Sequence, residues 1–155
     1  MMNIPSQLAA RPGRSQAELQ LTEGPANVTS LLEHTLGAEA VGWFEVIAAG
    51  DIVPSKKPAP DIYDYALKAL KLPPEACLAF EDSGNGIRSS CGAGLRTIIA
   101  INDYTRTHDF SDAALVLDQF GEPGQPCQVL AGNAVVLNGS PWLDVSSLQR
   151  LHGGG

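Results

Sequence analysis

The chain has 155 residues, of which 44% are apolar and 17% charged, so it fits one globular domain with a sizeable core. Its formal net charge is −7 and its 10 basic residues form no run, which argues against nucleic acid or an anionic membrane as a partner. The three cysteines show no CxxC spacing, so neither a disulfide framework nor a zinc site is expected. No apolar run approaches the roughly 20 residues that span a bilayer, and no secretory signal is evident, so we expect a cytoplasmic protein.

The first third of the chain predicts a strand, a helix and a second strand. Residues 1–24 are broken by Pro and Gly and are interpreted as an irregular segment, with one short strand from Ala17 to Thr22. The domain proper is expected over residues 25–155. Apolar residues recur at helical spacing after Pro25, which suits a first helical position. The run WFEVIAA, from Trp43 to Ala49, is a candidate buried strand.

Helices and strands alternate through the rest of the chain. A helix is predicted from Pro60 to Lys71, with an apolar face made of Ile62, Tyr65, Ala66, Ala69 and Leu70. Further strands are predicted at Cys77 to Phe80, Arg96 to Ile101 and Leu115 to Leu117, and further helices at Ile87 to Ala93 and Val145 to Leu151. Because these strands are apolar throughout, we expect one α/β domain with a parallel sheet covered on both faces.

Two polar loops follow predicted strands, at the strand ends where open parallel sheets bind ligands. The first contains Lys56 and Lys57, and the second runs from Glu81 and Asp82 into Ser83-Gly-Asn-Gly. Magnesium usually takes one or two carboxylates together with water and phosphate oxygens, and a nearby lysine would neutralise phosphate charge. Taken singly, the acidic pair is more simply a solvated turn in which Asp82 or Ser83 caps the next helix, and Lys57 a surface lysine.

The two loops together resemble a known pair of motifs. The stretches KKPAPDIY and CLAFEDSGNG are similar to the third and fourth motifs of the haloacid dehalogenase superfamily. The similarity is strongest to its branch of sugar-phosphate phosphatases and β-phosphoglucomutases, including the Calvin-cycle sugar-bisphosphate phosphatases. It extends from about Pro25 to near the C-terminus through WFEVIAAGD and INDYTRTHDF. The resemblance implies a three-layer, Rossmann-like core with a parallel sheet.

The resemblance also implies roles for individual residues in magnesium-dependent hydrolysis of a small phosphorylated metabolite. Lys57 would contact the phosphate and the nucleophile, and Glu81 and Asp82 would form the Mg2+ site with Asp82 as the direct ligand. Ser83 and Asn85 would shape the loop behind the metal. Thr22 is the candidate for the phosphate-binding hydroxyl of the second motif, although the surrounding LQLTEGP departs from the usual apolar strand.

The family's nucleophile has no counterpart in the sequence. Family members begin with a strand ending in Asp-x-Asp, whose first aspartate attacks phosphorus, and no Asp-x-Asp occurs in these 155 residues. The helical cap that follows it in this branch is absent too, so we expect an incomplete core. Loss of a mid-sheet strand leaves backbone groups without partners. We expect either that Ala17 to Thr22 pairs directly with Cys77 to Phe80, or that another copy or a complementing chain fills the gap.

Three functions stay open on the sequence alone: an enzyme of this lineage, a non-catalytic module that binds cation and phosphate, and a structural remnant. Without the aspartate pair, we expect the isolated chain to be inactive. A dinucleotide site is not expected, because Ser89 stands at the third glycine of the GxGxxG pattern. Ser83 lacks the GxSxG setting of a hydrolase nucleophile, and His34 is interpreted as a surface residue.

Overall fold

The computed structural model describes residues 2–3, 16–21, 30, 33–34, 37–49 and 52–154. The strands in these ranges are β1 (Met2–Asn3), β2 (Gln16–Leu21), β3 (Phe44–Ala49), β4 (Cys77–Glu81), β5 (Arg96–Ala100), β6 (Leu115–Leu117) and β7 (Val129–Gly132). The helices are α1 (Asp61–Leu70), α2 (Gly84–Gly92) and α3 (Val145–Gly153), with 3-10 turns at Ala38–Trp43, Pro74–Ala76 and Ala134–Leu137. His34 is helical and exposed. No helix in these ranges is long and apolar enough to cross a membrane.

The strands form one sheet in the order β3-β2-β1-β4-β5-β6-β7. β2 and β3 are parallel, and so are β4, β5 and β6, whereas β7 runs antiparallel to β6 at the edge. The mostly parallel α/β architecture expected from the apolar strands is therefore confirmed. The carboxyl ends of β4 and β5 lie side by side, so the residues that follow these strands meet at one rim of the sheet.

A strand of the same chain lies in the middle of the sheet, between the two strands that the sequence predicted to pair directly. β1 lies between β2 and β4 and is antiparallel to both. The predicted direct pairing of β2 with β4 is therefore wrong, and the strand between them belongs to the same chain. β1 pairs only with Cys77 and Leu78 of β4. The last three residues of β4, Ala79–Glu81, extend beyond the pairing with β1 toward the rim.

The two faces of the sheet are covered by different helices. One face packs under α1 and α2, with a buried cluster of Ala48, Ile62, Tyr63, Ala66, Leu67, Cys77, Ala79 and Leu95. The other face packs under α3 and the 3-10 turn Ala134–Leu137. Its buried cluster consists of Leu78, Ile98, Leu115, Leu117, Val136, Leu148 and Leu151. Successive residues of a strand point to opposite faces. Glu81 follows Cys77 and Ala79 at this alternation and therefore lies on the α1 side.

The buried face of α1 is displaced by one position from the predicted face. Ile62 and Ala66 are buried as expected, but Tyr63 and Leu67 complete the face, and Tyr65 is exposed. The sequence DIYDYALKAL has apolar residues at most positions, so helical spacing alone does not select one face over its neighbour. The difference matters because it brings the Tyr63 hydroxyl to the rim of the sheet.

Helix α2 begins three residues before its predicted start. The Ser83 side chain accepts the N–H of Gly86 at 3.1 Å, so Ser83 caps the helix and the glycine-rich stretch forms its first turn. The interpretation of Ser83 as a helix cap is confirmed. Capping is compatible with a site at this corner, because it holds the residue that directly follows Asp82.

Candidate functional site

The loop that carries Lys57, residues 52–60, rests on α2. The Ser89 hydroxyl donates to the Ala59 carbonyl at 2.6 Å, and a Cβ on Gly92 would lie 3.4 Å from the Pro60 ring. Ser89, at the position where the dinucleotide pattern has a glycine, is thus a buried link between this lysine loop and α2. Small residues spaced three apart on α2 let the lysine loop approach closely, which brings the two sequence motifs together.

Lys57, Glu81 and Tyr63 form a compact cluster at the carboxyl end of β4. The Lys57 ammonium and the Tyr63 hydroxyl both donate to Oε1 of Glu81. The ammonium also lies 5.4 Å from the centre of the Tyr63 ring, a cation–π distance. The Glu81 side chain is 7% exposed and that of Lys57 is 24% exposed. The buried carboxylate therefore has a cationic partner that still reaches solvent.

Gly86 makes room for the second carboxylate oxygen of Glu81. A Cβ at this position would lie 1.9 Å from Oε2, far inside any allowed contact. A side chain at this position would force the Glu81 carboxylate to move. Glu81 is consequently held from both sides, by the lysine loop and α1 through Oε1 and by α2 around Oε2.

Asp82 has a different setting from Glu81, although the two are adjacent in the chain. Asp82 is exposed, and its Oδ2 accepts a long hydrogen bond from Asn102 Nδ2 at 3.4 Å. Asn102 follows β5, the strand beside β4. The side chain of Asn85, one of the predicted supporting residues, accepts from Arg88 at 2.6 Å on the exposed surface of α2. Asp82 thus offers carboxylate oxygens to solvent at the rim.

The donor set at this corner consists of two carboxylates. The structure finds no group of three or more His, Cys, Asp or Glu side chains that could hold a metal among the residues it describes. Magnesium needs only one or two protein carboxylates when water and substrate supply the remaining oxygens. Asp82, with Glu81 behind it, meets that small requirement.

Of the residues predicted to form a site, Lys57 and Glu81 are in direct contact. Asp82 and Ser83 follow Glu81 in the chain and lead into α2. Thr22 lies outside the described residues. Three neighbours were not predicted: Tyr63, Asn102 and His108. The last two lie in INDYTRTHDF, a stretch that carries no periodic signal, and Tyr63 lies within KKPAPDIY itself.

Comparison with known proteins agrees with this geometry. Residues 22–94 match the haloacid dehalogenase-like hydrolase family. The chain is 47% identical over 116 residues to Protein CbbY of Cereibacter sphaeroides, covering 75% of this chain and 50% of that protein. The chain therefore carries part of a haloacid dehalogenase-like hydrolase domain.

Solved structures support the same assignment. A crystal structure of mutant CbbY from Rhodobacter sphaeroides in complex with xylulose-(1,5)bisphosphate superposes with a TM-score of 0.65 at 46% identity, covering 70% of this chain and 48% of that one. A β-phosphoglucomutase from Clostridium difficile shares the fold with a TM-score of 0.60 at 20% identity, over 88% of this chain and 49% of that one. The chain spans about half the length of these relatives.

Proposed function

We propose that this chain supplies the magnesium- and phosphate-binding side of a phosphatase site for small sugar phosphates, and that it is inactive alone. The observation that carries the proposal is the Lys57–Glu81 ion pair, next to the exposed Asp82 at the rim of the sheet. A cation and two carboxylates at one corner suit a phosphate ester with its metal ion. The sugar bisphosphate bound by the similar CbbY structure supports this substrate class.

Each residue of the corner has a proposed role. Lys57, held by Glu81 and Tyr63, binds the phosphoryl oxygens through the part of its ammonium that reaches solvent. Asp82 is the direct ligand of Mg2+, and Glu81 completes the metal side while fixing Lys57. Magnesium, when bound, would supply charge neutralisation of the phosphoryl group. Ser83 and Asn85 keep the start of α2 in place, and Thr22 remains the candidate for a further phosphate contact.

The proposed site still requires an attacking carboxylate. The sequence has no Asp-x-Asp, and β1 covers only two residues of β4. We propose that Ala79–Glu81, the part of β4 that does not pair with β1, pairs with a parallel strand from a second polypeptide chain, whose acidic end would meet Lys57 and Asp82. The three cysteines are free thiols, which fits the proposed cytoplasmic location.

Binding without turnover tests the first part of the proposal. Calorimetry of the full chain with Mg2+ and inorganic phosphate should show phosphate affinity that Lys57→Met lowers about tenfold or more. The neighbouring exposed Lys56→Met is the matched control and should bind as the parent does. Asp82→Asn should abolish the dependence on Mg2+. Equal affinities for the two lysine variants would remove Lys57 from the site.

Complementation tests the second part. A peptide with an apolar strand ending in Asp-x-Asp should give the chain Mg2+-dependent hydrolysis of a generic phosphate ester, and the same peptide with Asn-x-Asn should not. Asp82→Asn should abolish the restored activity. Turnover by the chain alone that needs Mg2+ and Asp82 would show that the chain is an enzyme without a second strand.

A non-catalytic binding module is the second candidate function, and the observation in its favour is that Lys57 and Glu81 already neutralise each other. In that case phosphate and Mg2+ bind as above, while no strand peptide restores hydrolysis at any concentration. A chain that binds neither ligand would instead be a structural remnant.

A further inference from the structure

The loop between β5 and β6, residues 101–114, folds back onto the acidic corner of the site. Asn102, at its start, donates to Asp82 at 3.4 Å. His108, further along, accepts the backbone N–H of Gly84 through Nδ1 at 3.0 Å. The ring of His108 also lies against Gly84, whose added Cβ would meet it at 3.5 Å. The loop therefore touches the residues on both sides of Ser83.

The conformation of this loop is fixed from within. Thr105 is 6% exposed, and its hydroxyl accepts the backbone N–H of Asn102 at 3.1 Å. The Asn102 side chain accepts the N–H of Tyr104 at 2.9 Å, and the N–H of His108 donates to the Thr105 carbonyl at 2.9 Å. A chain of turns thus carries the imidazole to Gly84. The hydrogen bonds within the loop therefore fix the backbone of His108 in position for its contact with Gly84.

The hydrogen bond defines the state of the imidazole. Because Nδ1 can accept from a backbone amide only when it carries no proton, this bond requires the tautomer with the proton on Nε2. Gly84 is the first residue of α2, whose initial N–H groups have no partner within the helix. The Ser83 hydroxyl accepts the N–H of Gly86 within the turn, and Nδ1 of His108 accepts the N–H of Gly84 from the neighbouring loop.

We propose that His108 is a positioning residue for the proposed metal site: it fixes the first turn of α2 and thereby the orientation of Asp82 two residues before it. The inference rests on the proposed function only for its metal part, since the Gly84 bond exists without any ligand. Residues that orient a metal ligand without touching the metal typically change affinity by roughly 10- to 100-fold when replaced. For His108, which acts through two residues of backbone, we expect the lower end.

The test uses three variants of the full chain. His108→Ala removes the acceptor, His108→Asn restores an acceptor oxygen close to the position of Nδ1, and Thr107→Ala is the neighbouring exposed control. Hydrogen exchange of the Gly84 amide, followed by NMR without metal, should speed up about tenfold in His108→Ala only. Mg2+ affinity should fall about tenfold in the same variant and recover in His108→Asn.

The two readouts separate the inference from the proposed function. Unchanged Gly84 exchange in His108→Ala would overturn the inference whatever the metal does. Faster exchange with unaltered Mg2+ affinity would reduce His108 to a local contact and also overturn it. If the parent chain binds no Mg2+, the proposed function fails. The amide shifts of Asp82 and Ser83 then decide, because His108→Ala must move them more than Thr107→Ala does.

Discussion

The inner and outer sides of the acidic corner hold two adjacent carboxylates in opposite environments. On the inner side, Glu81 is 7% exposed and shares its charge with Lys57 and Tyr63. On the outer side, Asp82 is exposed and accepts a long hydrogen bond from Asn102. Because burial of an unpaired charge is costly, the inner acid must keep its partners, whereas the outer acid is free to bind a cation.

This difference gives the two acids different roles: Glu81 stabilises the structure of the site, and Asp82 is available to bind the ligand. Glu81 joins β4, α1, α2 and the lysine loop at one point, so its replacement should disturb the fold. Asp82 is exposed and hydrogen-bonded to a neighbouring loop, so its replacement should leave the fold unchanged and affect ligand binding alone. Stability measurements therefore distinguish the two carboxylates without any assay of activity.

The largest expected effect is that of Glu81→Ala. It leaves the Lys57 ammonium and the Tyr63 hydroxyl without their shared acceptor. We expect a loss of about 2–3 kcal/mol in the free energy of unfolding, less than a fully buried pair would cost because the Lys57 side chain is 24% exposed. Urea unfolding measures the loss. Asp82→Ala is the matched control and should stay within about 0.5 kcal/mol of the parent. Similar losses for both variants would contradict the division into inner and outer acids.

A smaller effect is expected from Tyr63→Phe, which removes one hydroxyl from the inner side. A hydrogen bond to a charged group contributes about 1.5–3 kcal/mol, and Lys57 continues to hold Glu81, so we expect a loss of about 1–2 kcal/mol. Tyr65→Phe, two residues further along on the exposed side of α1, should change the free energy of unfolding by less than about 0.5 kcal/mol. A larger cost at Tyr65 than at Tyr63 would restore the helix face predicted from the sequence.

The elements that are marked by apolar runs or by helical spacing could be predicted from the sequence. Parallel strands are buried on both faces, so runs such as Leu115–Leu117 were found at their observed bounds. The contact between Lys57 and Glu81 was expected only through the resemblance of two motifs to a known family, because no spacing rule relates residues that are 24 positions apart.

The remaining elements depend on tertiary contacts that leave no pattern in the chain. β1 has two residues, too few for any period, and it pairs where it does because the neighbouring strands leave a gap. β7 is an exposed edge strand that contains a glycine. His108 reaches Gly84 through a series of turns, and turn residues carry no periodicity.

The smallest predicted effect concerns Asp144, a half-buried acid whose carboxylate accepts two short hydrogen bonds from Ser147. It caps α3, and the Ser147 backbone N–H, at 2.6 Å, lowers the pKa of its carboxyl below the usual 3.8. A lowered pKa in the folded state gives stability that is present above the unfolded pKa and is lost as the pH falls through the folded value. The parent should therefore be more stable than Asp144→Asn above about pH 5, and the difference should shrink below pH 3.8. Urea unfolding of both proteins across this range measures the difference, with Asp103→Asn as an exposed control. A difference that grows toward low pH would mean that the Asp144 carboxylate is not stabilised by the helix, and that Asp144 cannot serve as a capped reference for the exposed Asp82.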